Sequence, residues 1–446
     1  MISWRDLYRL VSYARASLWV VPFFAIATEM LVSRFIQGLD ARLGWTLLGL
    51  AVPGATSLYQ TIITMTLSFM VFTFGSLLVA IQVASGQLTP RIIATTLLRD
   101  NTVRYTVGLF VFTLLYALRA LDRMESTVQQ FSVFTAALLG LFSLVMFLFL
   151  IDYAARLLRP ASIVWRVGES GIAVLEGVHA RDLGAAITRT DAPSPQALGE
   201  ADAVVTHEGG SGTVLAVNYP ALFELASSTG GTVELVPHVG DFLAVDEPLF
   251  RLYGDARALD PEPLREAVAV GPERTMEQDT TFSFRILCDI ALKALSKAIN
   301  DPTTAVLAID QIHRLLRVAG ERHLKHDQIS DPAGRARVIV RTPNWEDYVH
   351  LACREIRIAG AENIQIPRRL RAMLENLVHA LPERRHKALL EELDLLERSV
   401  QAAYRFPEDL ALARTPDAQG MGGVTTLETE AGDAREPRRP ELAKSA

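Results

Sequence analysis

The stretch FSVFTAALLGLFSLVMFLFLI, residues 131–151, carries no charged side chain. An α-helix crosses the hydrocarbon core of a bilayer with about 20 apolar residues, so this stretch predicts a membrane-spanning helix. Three further apolar stretches precede it, at 18–36, 58–84 and 105–121. We therefore expect an α-helical integral membrane protein with a four-helix transmembrane domain in residues 1–160.

The arginines predict how the four helices are oriented. Nine flank one side: Arg5, Arg9, Arg15, Arg91, Arg99, Arg104, Arg156, Arg159 and Arg166. Four flank the other: Arg34, Arg42, Arg119 and Arg123. Because positive charge is enriched in cytoplasmic loops, both termini are expected in the cytoplasm of a bacterial inner-membrane protein. The N-terminal arginines, the apolar run after them and AIA at 25–27 also fit a cleaved signal peptide. However, the apolar run continues to Ile36, which favours an uncleaved span.

Glu29 places a carboxylate inside the first span. A buried charge in a membrane is costly and often functional, so one interpretation is a ligand for an ion or a proton. The other is that Glu29 lies near the outer end and pairs with Arg34, its side chain reaching toward the interface. The short separation from Arg34 favours the second interpretation.

Small and polar residues recur along the second span at mostly three- and four-residue steps, which places them on one helix face. They are Ser57, Thr61, Thr64, Ser68, Gly75 and Gln82. Such a face is suited to lining a water-filled pore in an oligomer. It is equally typical of a packing seam, since small and hydroxylated residues let membrane helices approach closely.

The segment after the second span, GQLTPRIIATTLLRDN at 86–101, predicts a short amphipathic helix on the cytoplasmic membrane surface. Thr89 supplies a cap, and Pro90 is tolerated at the first helical position. We expect this helix to join spans two and three.

The rest of the chain is expected to be a cytosolic α+β region. Alternating apolar residues and glycine turns predict a small β-rich module at 161–255, and helical periodicity predicts a helical domain at 271–405. Residues 414–446 are rich in Gly, Pro and charge, which predicts a disordered tail. Because 161–255 holds no lysine, no biotin- or lipoyl-type cofactor is expected there.

The motif NDPTT, residues 300–304, predicts a corner between two helices. Asp301 is suited to capping a helix that starts at Pro302, after a first helix that ends at Asn300. Most such motifs are structural. A functional interpretation would use Asp301, Thr303 and Thr304 to hold an anion, an ion or a neighbouring loop.

Four segments resemble a bacterial family of four-span predicted membrane proteins classified as a domain of unknown function. The segments are GQLTPRII, GLFVFTLLYAL, GPERTMEQDTTFSFRILCDIALKALSKAINDPTTAVLAIDQI and RVIVRTPNWEDYV. They are distributed over nearly the whole chain except its tail. The resemblance implies the architecture and no particular activity.

Two functions remain open. The first is a homo-oligomeric ion channel or transporter with a cytosolic regulatory domain; the second is a membrane-anchored sensor or scaffold without transport. No catalytic motif stands in a suitable context, so no enzyme is expected. A net charge of −6 argues against nucleic acid. His323, His326 and Asp327 lack a further ligand motif, so no metal site is predicted.

Overall fold

The structure, a computed structural model, describes residues 3–43, 48–87, 100–124, 128–157, 159–180, 188–190, 199–322, 324 and 328–422. The N-terminal part is helical throughout these residues. Its helices are α1 (Trp4–Ala16), α2 (Val20–Leu43), α3 (Val52–Gln87), α4 (Asn101–Asp122) and α5 (Gln130–Leu157). Each of α2 to α5 is long and apolar enough to cross a membrane, which confirms the predicted fold class.

Helix α4 packs against α2, α3 and α5. Small residues allow these helices to approach closely: a Cβ added to Gly108 of α4 would lie 2.9 Å from Val21 Cγ1 of α2. Between α4 and α5, the Thr113 and Ser143 hydroxyls are hydrogen-bonded at 3.1 Å. The spanning helices are therefore held together by close packing and an internal hydrogen bond.

Helix α3 has 36 residues, which corresponds to about 54 Å. The hydrocarbon core of a bilayer is only about 30 Å thick. Helix α3 is therefore longer than the hydrocarbon core is thick. The predicted surface helix follows α3. Its residues 88–99 lie outside the described part of the chain.

Helix α6 (Pro160–Ala180) follows α5 almost directly and packs against two later helices, α9 (Phe282–Ala294) and α10 (Pro302–Glu321). The β-rich module expected from residue 161 therefore begins with a helix. Gly168 and Gly171 of this helix serve close packing. A Cβ added at Gly168 would lie 2.4 Å from Gln311 Oε1, and one at Gly171 would lie 2.5 Å from Ser283 Oγ.

The strands form two sheets. The larger has the order β1-β8-β9-β4-β6-β2 and the smaller β5-β3-β7. The strands are β1 (Thr188–Thr190), β2 (Ala203–Thr206), β3 (Gly212–Val217), β4 (Thr232–Leu235), β5 (Phe242–Leu243), β6 (Pro248–Tyr253), β7 (Val268–Gly271), β8 (Gln328–Ser330) and β9 (Ala336–Ile339). Strand β9 pairs in parallel with β4, so part of the region predicted to be a separate helical domain completes the sheet.

The remaining helices divide between two cores: the first two pack with the strands, and the other six pack with α6. In chain order, the remaining helices are α7 (Tyr219–Thr229), α8 (Pro261–Glu266), α9 (Phe282–Ala294), α10 (Pro302–Glu321), α11 (Trp345–Gly360), α12 (Gln365–Ala380), α13 (His386–Ala403) and α14 (Pro407–Arg414). Apolar side chains of α6, α9, α10, α11, α12 and α13 share one buried cluster. Helix α6 therefore joins the last spanning helix to the core of the extramembrane region.

The predicted disordered tail, 414–446, starts too early. Asp417 accepts hydrogen bonds from the backbone N–H groups of Gln419, Gly420 and Gly422. The buried Arg368 of α12 donates to the Thr415 and Gly422 carbonyls. Residues 415–422 are therefore fixed against α12 by polar contacts that composition does not reveal, and residues 423–446 lie outside the described part of the chain.

Candidate functional site

The polar residues of the second span lie on the outer face of α3. Each member of this stripe is exposed, and the stripe comprises Ser57, Thr61, Thr64, Ser68, Gly75 and Gln82. The opposite face of α3 is buried against the bundle, through residues such as Tyr59, Ile62 and Phe69. We call the exposed set the α3 stripe. It points away from the helices that α3 packs against in its own chain.

Several hydroxyls of α3 are satisfied by the helix itself. Thr61 Oγ1 donates to the Ser57 carbonyl, and Ser68 Oγ donates to the Thr64 carbonyl, both at 2.8 Å. Gly75 faces open space, since an added Cβ would meet nothing within 4 Å. These groups share the outer face of α3 with exposed large apolar side chains such as Phe72 and Val79, so another helix or water meets a mixed surface there.

Gln60 belongs to the same exposed face but was missed by the sequence analysis. It follows Ser57 by three residues and precedes Thr64 by four, so the helical spacing already placed it there. A primary amide has two donors and an acceptor oxygen. Gln60 and Gln82 therefore add four N–H donors to this outer face.

Glu29 is buried and pairs with Arg119 of α4, its Oε2 lying 3.0 Å from Arg119 Nη1. The pairing expected with Arg34 is wrong. Arg34 lies five residues after Glu29, about 140° around the helix, and is exposed. Glu29 shares its buried face with Ser33 and Ile36, which turns the carboxylate toward α4.

Asp100 joins three helices at the end of the bundle nearest the extramembrane region. Its Oδ1 caps α4 by accepting from Thr102 N at 2.9 Å and Val103 N at 3.3 Å. Its Oδ2 accepts from the Tyr153 hydroxyl of α5 and from Arg166 Nη1 of α6, the latter at 3.0 Å. This carboxylate therefore links two spanning helices to the helix that enters the extramembrane core.

Arg104, one turn further along α4, binds the C-terminal end of α1. Its guanidinium donates to the Ala14 carbonyl at 2.8 Å and to the Arg15 carbonyl at 3.2 Å. Cations near a helix C-terminus also interact favourably with the helix dipole. Asp100 and Arg104 together form what we call the junction, through which spanning helices contact both α1 and α6.

The NDPTT corner is a capped helix start. Asp301 Oδ1 accepts from Thr304 N at 3.1 Å and its Oδ2 accepts from the Thr304 hydroxyl. Pro302 is the first residue of α10. Asn300 has φ +48°, a left-handed conformation that asparagine tolerates. Because the first turn engages both carboxylate oxygens, capping accounts for Asp301, and a ligand role for the corner stays a prediction.

The helix before this corner is shorter than predicted. Helix α9 ends at Ala294, and residues 295–300 turn back so that Asp301 N donates to the Ala294 carbonyl at 2.8 Å. Asn300 N donates to the Ser296 carbonyl at 2.8 Å. These local hydrogen bonds compete with the helical pattern over several residues, which apolar spacing alone does not show.

A small polar cavity of about 40 Å³ lies where the sheets meet the helical core. Asp279 and Arg274 face each other beside it, with Oδ2 3.3 Å from Nε. Burial raises the pKa of Asp279, which the charge of Arg274 only partly offsets. A hydrogen bond from His238 lowers the pKa of Asp241 on the adjoining turn. The volume suits a few water molecules.

Other charged residues of this helical region lie elsewhere. Arg285 pairs with Asp289 along α9 and with Glu355 of α11. Asp301 caps α10, as described above. These charged residues therefore serve packing and capping, apart from the cavity. His323, His326 and Asp327 lie outside the described residues.

The four apolar helices and the mixed region that follows define an α-helical integral membrane protein. Residues 15–376 match the family described as "Predicted membrane protein (DUF2254)", and the chain belongs to that family. This match bears out the resemblance noted in the sequence.

The chain is also similar to two mycobacterial proteins. One is the Uncharacterized protein Rv1290c of Mycobacterium tuberculosis and the other the Uncharacterized protein Mb1321c of Mycobacterium bovis. Each is 23% identical over 420 residues, which cover 90% of this chain and 80% of the relative. No solved structure matches the chain.

Proposed function

We propose that this protein is a homo-oligomeric ion channel or transporter of the bacterial inner membrane, with α3 from each subunit facing a water-filled path. The observation that carries the proposal is the exposure of the whole α3 stripe. In a lone subunit these polar groups would lie against lipid, where hydrogen-bonding partners are scarce. A closed ring of subunits turns the same face toward water.

The proposal places both termini and the extramembrane region in the cytoplasm. The arginine distribution supports this orientation. Helix α1 supports it as well: Arg9 Nη2 donates to the Val270 carbonyl of β7 at 2.9 Å. The segment before the first span therefore lies on the same side as the region after the fourth. An even number of spans requires this arrangement.

The junction is the proposed route of regulation. Helix α6 packs within the extramembrane core, and Arg166 on it holds Asp100 at the start of α4. A shift of α6 would therefore change forces on α4 and α5 directly. Helix α4 contacts α3 along the bundle, so such a shift reaches the helix that carries the stripe.

Ion flux through purified protein in liposomes tests the proposal. Thr64→Leu and Gln82→Leu are expected to reduce flux several-fold or to change ion selectivity, because both remove polar groups from the proposed path. Thr28→Leu is the matched control. Thr28 is an exposed threonine of α2 whose hydroxyl donates to the Phe24 carbonyl at 2.8 Å, and its replacement is expected to leave flux unchanged.

Two results would count against the proposal. One is no flux above empty liposomes across several ions and pH values, which favours a membrane-anchored sensor or scaffold. The self-satisfied hydroxyls of Thr61 and Ser68 are compatible with that alternative, because they suit a dry packing seam. The other is an equal effect of all three substitutions, which would indicate a general perturbation of the bundle.

A further inference from the structure

Helix α1 has an apolar face that nothing in the described chain covers. Leu7, Leu10 and Val11 lie at helical spacing on this face, and the side chains of Leu7 and Leu10 are 50% and 58% exposed. Large apolar side chains clustered in this way mark an interaction surface. Among the described residues α1 precedes the first span, and it ends at Ala16.

The opposite face of α1 is polar and is bound to the extramembrane region. Arg9 donates to the Val270 carbonyl, and Ser12 Oγ donates to Glu277 Oε1 at 3.2 Å. The helix is therefore amphipathic in the structure as well as in the sequence. One face holds the smaller sheet, and the other is available to a different partner.

The position of α1 identifies that partner. Arg104 binds the last carbonyls of α1 to the first turn of α4, a spanning helix. Helix α2 starts at Val20, a few residues after α1 ends. Helix α1 has 13 residues and extends about 20 Å, and its C-terminal end, bound by Arg104, lies at the membrane boundary.

Aromatic residues at this end of α1 have the character of a membrane interface. Tyr13 and Trp19 are both exposed, and Trp19 Nε1 donates to the Tyr13 hydroxyl at 3.3 Å. Tyrosine and tryptophan are enriched where the bilayer meets water. The exposed Arg15 adds positive charge next to them, which complements lipid phosphates.

We propose that α1 is an interfacial helix whose Leu7, Leu10 and Val11 enter the headgroup and acyl boundary of the bilayer. The occupant of the apolar face is the lipid surface. Through its polar face the helix tethers the smaller sheet, at β7, to the membrane. This inference is independent of transport, since a scaffold would need the same tether.

Site-directed spin labelling of the full-length protein tests the inference. Leu10→Cys carries the nitroxide, in vesicles of phosphatidylethanolamine and phosphatidylglycerol. Cys288 and Cys353 are buried, and burial raises the pKa of the Cys288 thiol to about 12, so background labelling is low. Glu391→Cys is the control, an exposed position on α13 of the extramembrane region.

The label at Leu10 is expected to collide with oxygen, which is concentrated in lipid, several-fold more than with a water-soluble nickel chelate. The label at Glu391 is expected to show the reverse. Nickel access at Leu10 equal to that at Glu391 would overturn the inference, because the face would then lie in water. A label inaccessible to both reagents would also overturn it, in favour of a second copy or another protein surface.

Discussion

Replacing Arg119 with leucine is expected to destabilise the protein by about 3–5 kcal/mol, the usual cost of leaving one member of a buried ion pair without its partner. Glu29 is buried, and Arg119 lies 3.0 Å from it. The single substitution would leave an uncompensated carboxylate inside the bundle. The apparent melting temperature in detergent should fall clearly.

Two further variants separate this pair from a general effect of removing charge. Glu29→Leu combined with Arg119→Leu is expected to recover most of the loss, since replacing a whole buried pair by apolar residues is often neutral. Arg34→Leu removes an exposed arginine of α2, the helix that carries Glu29. It is expected to change the stability little. An Arg119→Leu protein as stable as wild type would show that the pair does not hold α2 to α4.

Replacing Asp100 with alanine is expected to lower the free energy of unfolding by about 2–4 kcal/mol. A lost N-cap contributes about 1 kcal/mol, and the lost charged hydrogen bonds from Tyr153 and Arg166 add to it. Asp100→Asn retains a capping oxygen and should lie between alanine and wild type. Thermal unfolding and limited proteolysis between α5 and α6 would both report the change.

The control for Asp100 is Asp152→Ala at the same end of the bundle. Asp152 and Arg156 form an exposed pair one turn apart on α5, and surface pairs of this kind contribute little. We expect no clear change in stability from Asp152→Ala. Equal effects of the two alanine substitutions would contradict the assignment of Asp100 as the residue that joins α4, α5 and α6.

Features of this protein that depend on residues close together in sequence were predictable from the sequence. The spanning helices follow from the length of apolar runs, and the α3 stripe follows from helical spacing. The cap at Asp301 follows from the chemistry of a short acidic side chain before proline. Each of these depends on residues within a few turns of one another, where spacing determines geometry.

The missed features depend on contacts between distant segments. Arg119 is 90 positions from Glu29 and belongs to another helix, so only the fold identifies it as the partner. The role of Asp100 was not predictable from sequence, because its partners belong to three different helices. Strand β9 joins β4 across more than a hundred residues, and short strands carry no signal for their partner.

Helix α1 and helix α6 were missed for a different reason. Arg5, Arg9 and Arg15 were read as orientation signals, although Leu7, Leu10 and Val11 between them already had helical spacing. In α6 the glycines suggested turns, although Ile163, Val164 and Val167 marked a buried helical face. In both segments some residues had a plausible role other than forming a helix, so the helical spacing was overlooked.

The central claim is that the α3 stripe faces water inside the membrane. The most direct test is Thr64→Cys in liposomes, treated with a charged, membrane-impermeant thiol reagent while flux is recorded, beside Thr28→Cys on α2. The account predicts that Thr64→Cys reacts at a rate typical of a water-exposed thiol and that its flux falls on reaction, while Thr28→Cys stays unreactive. A Thr64→Cys protein as unreactive as Thr28→Cys would place the stripe against protein or lipid and contradict the claim.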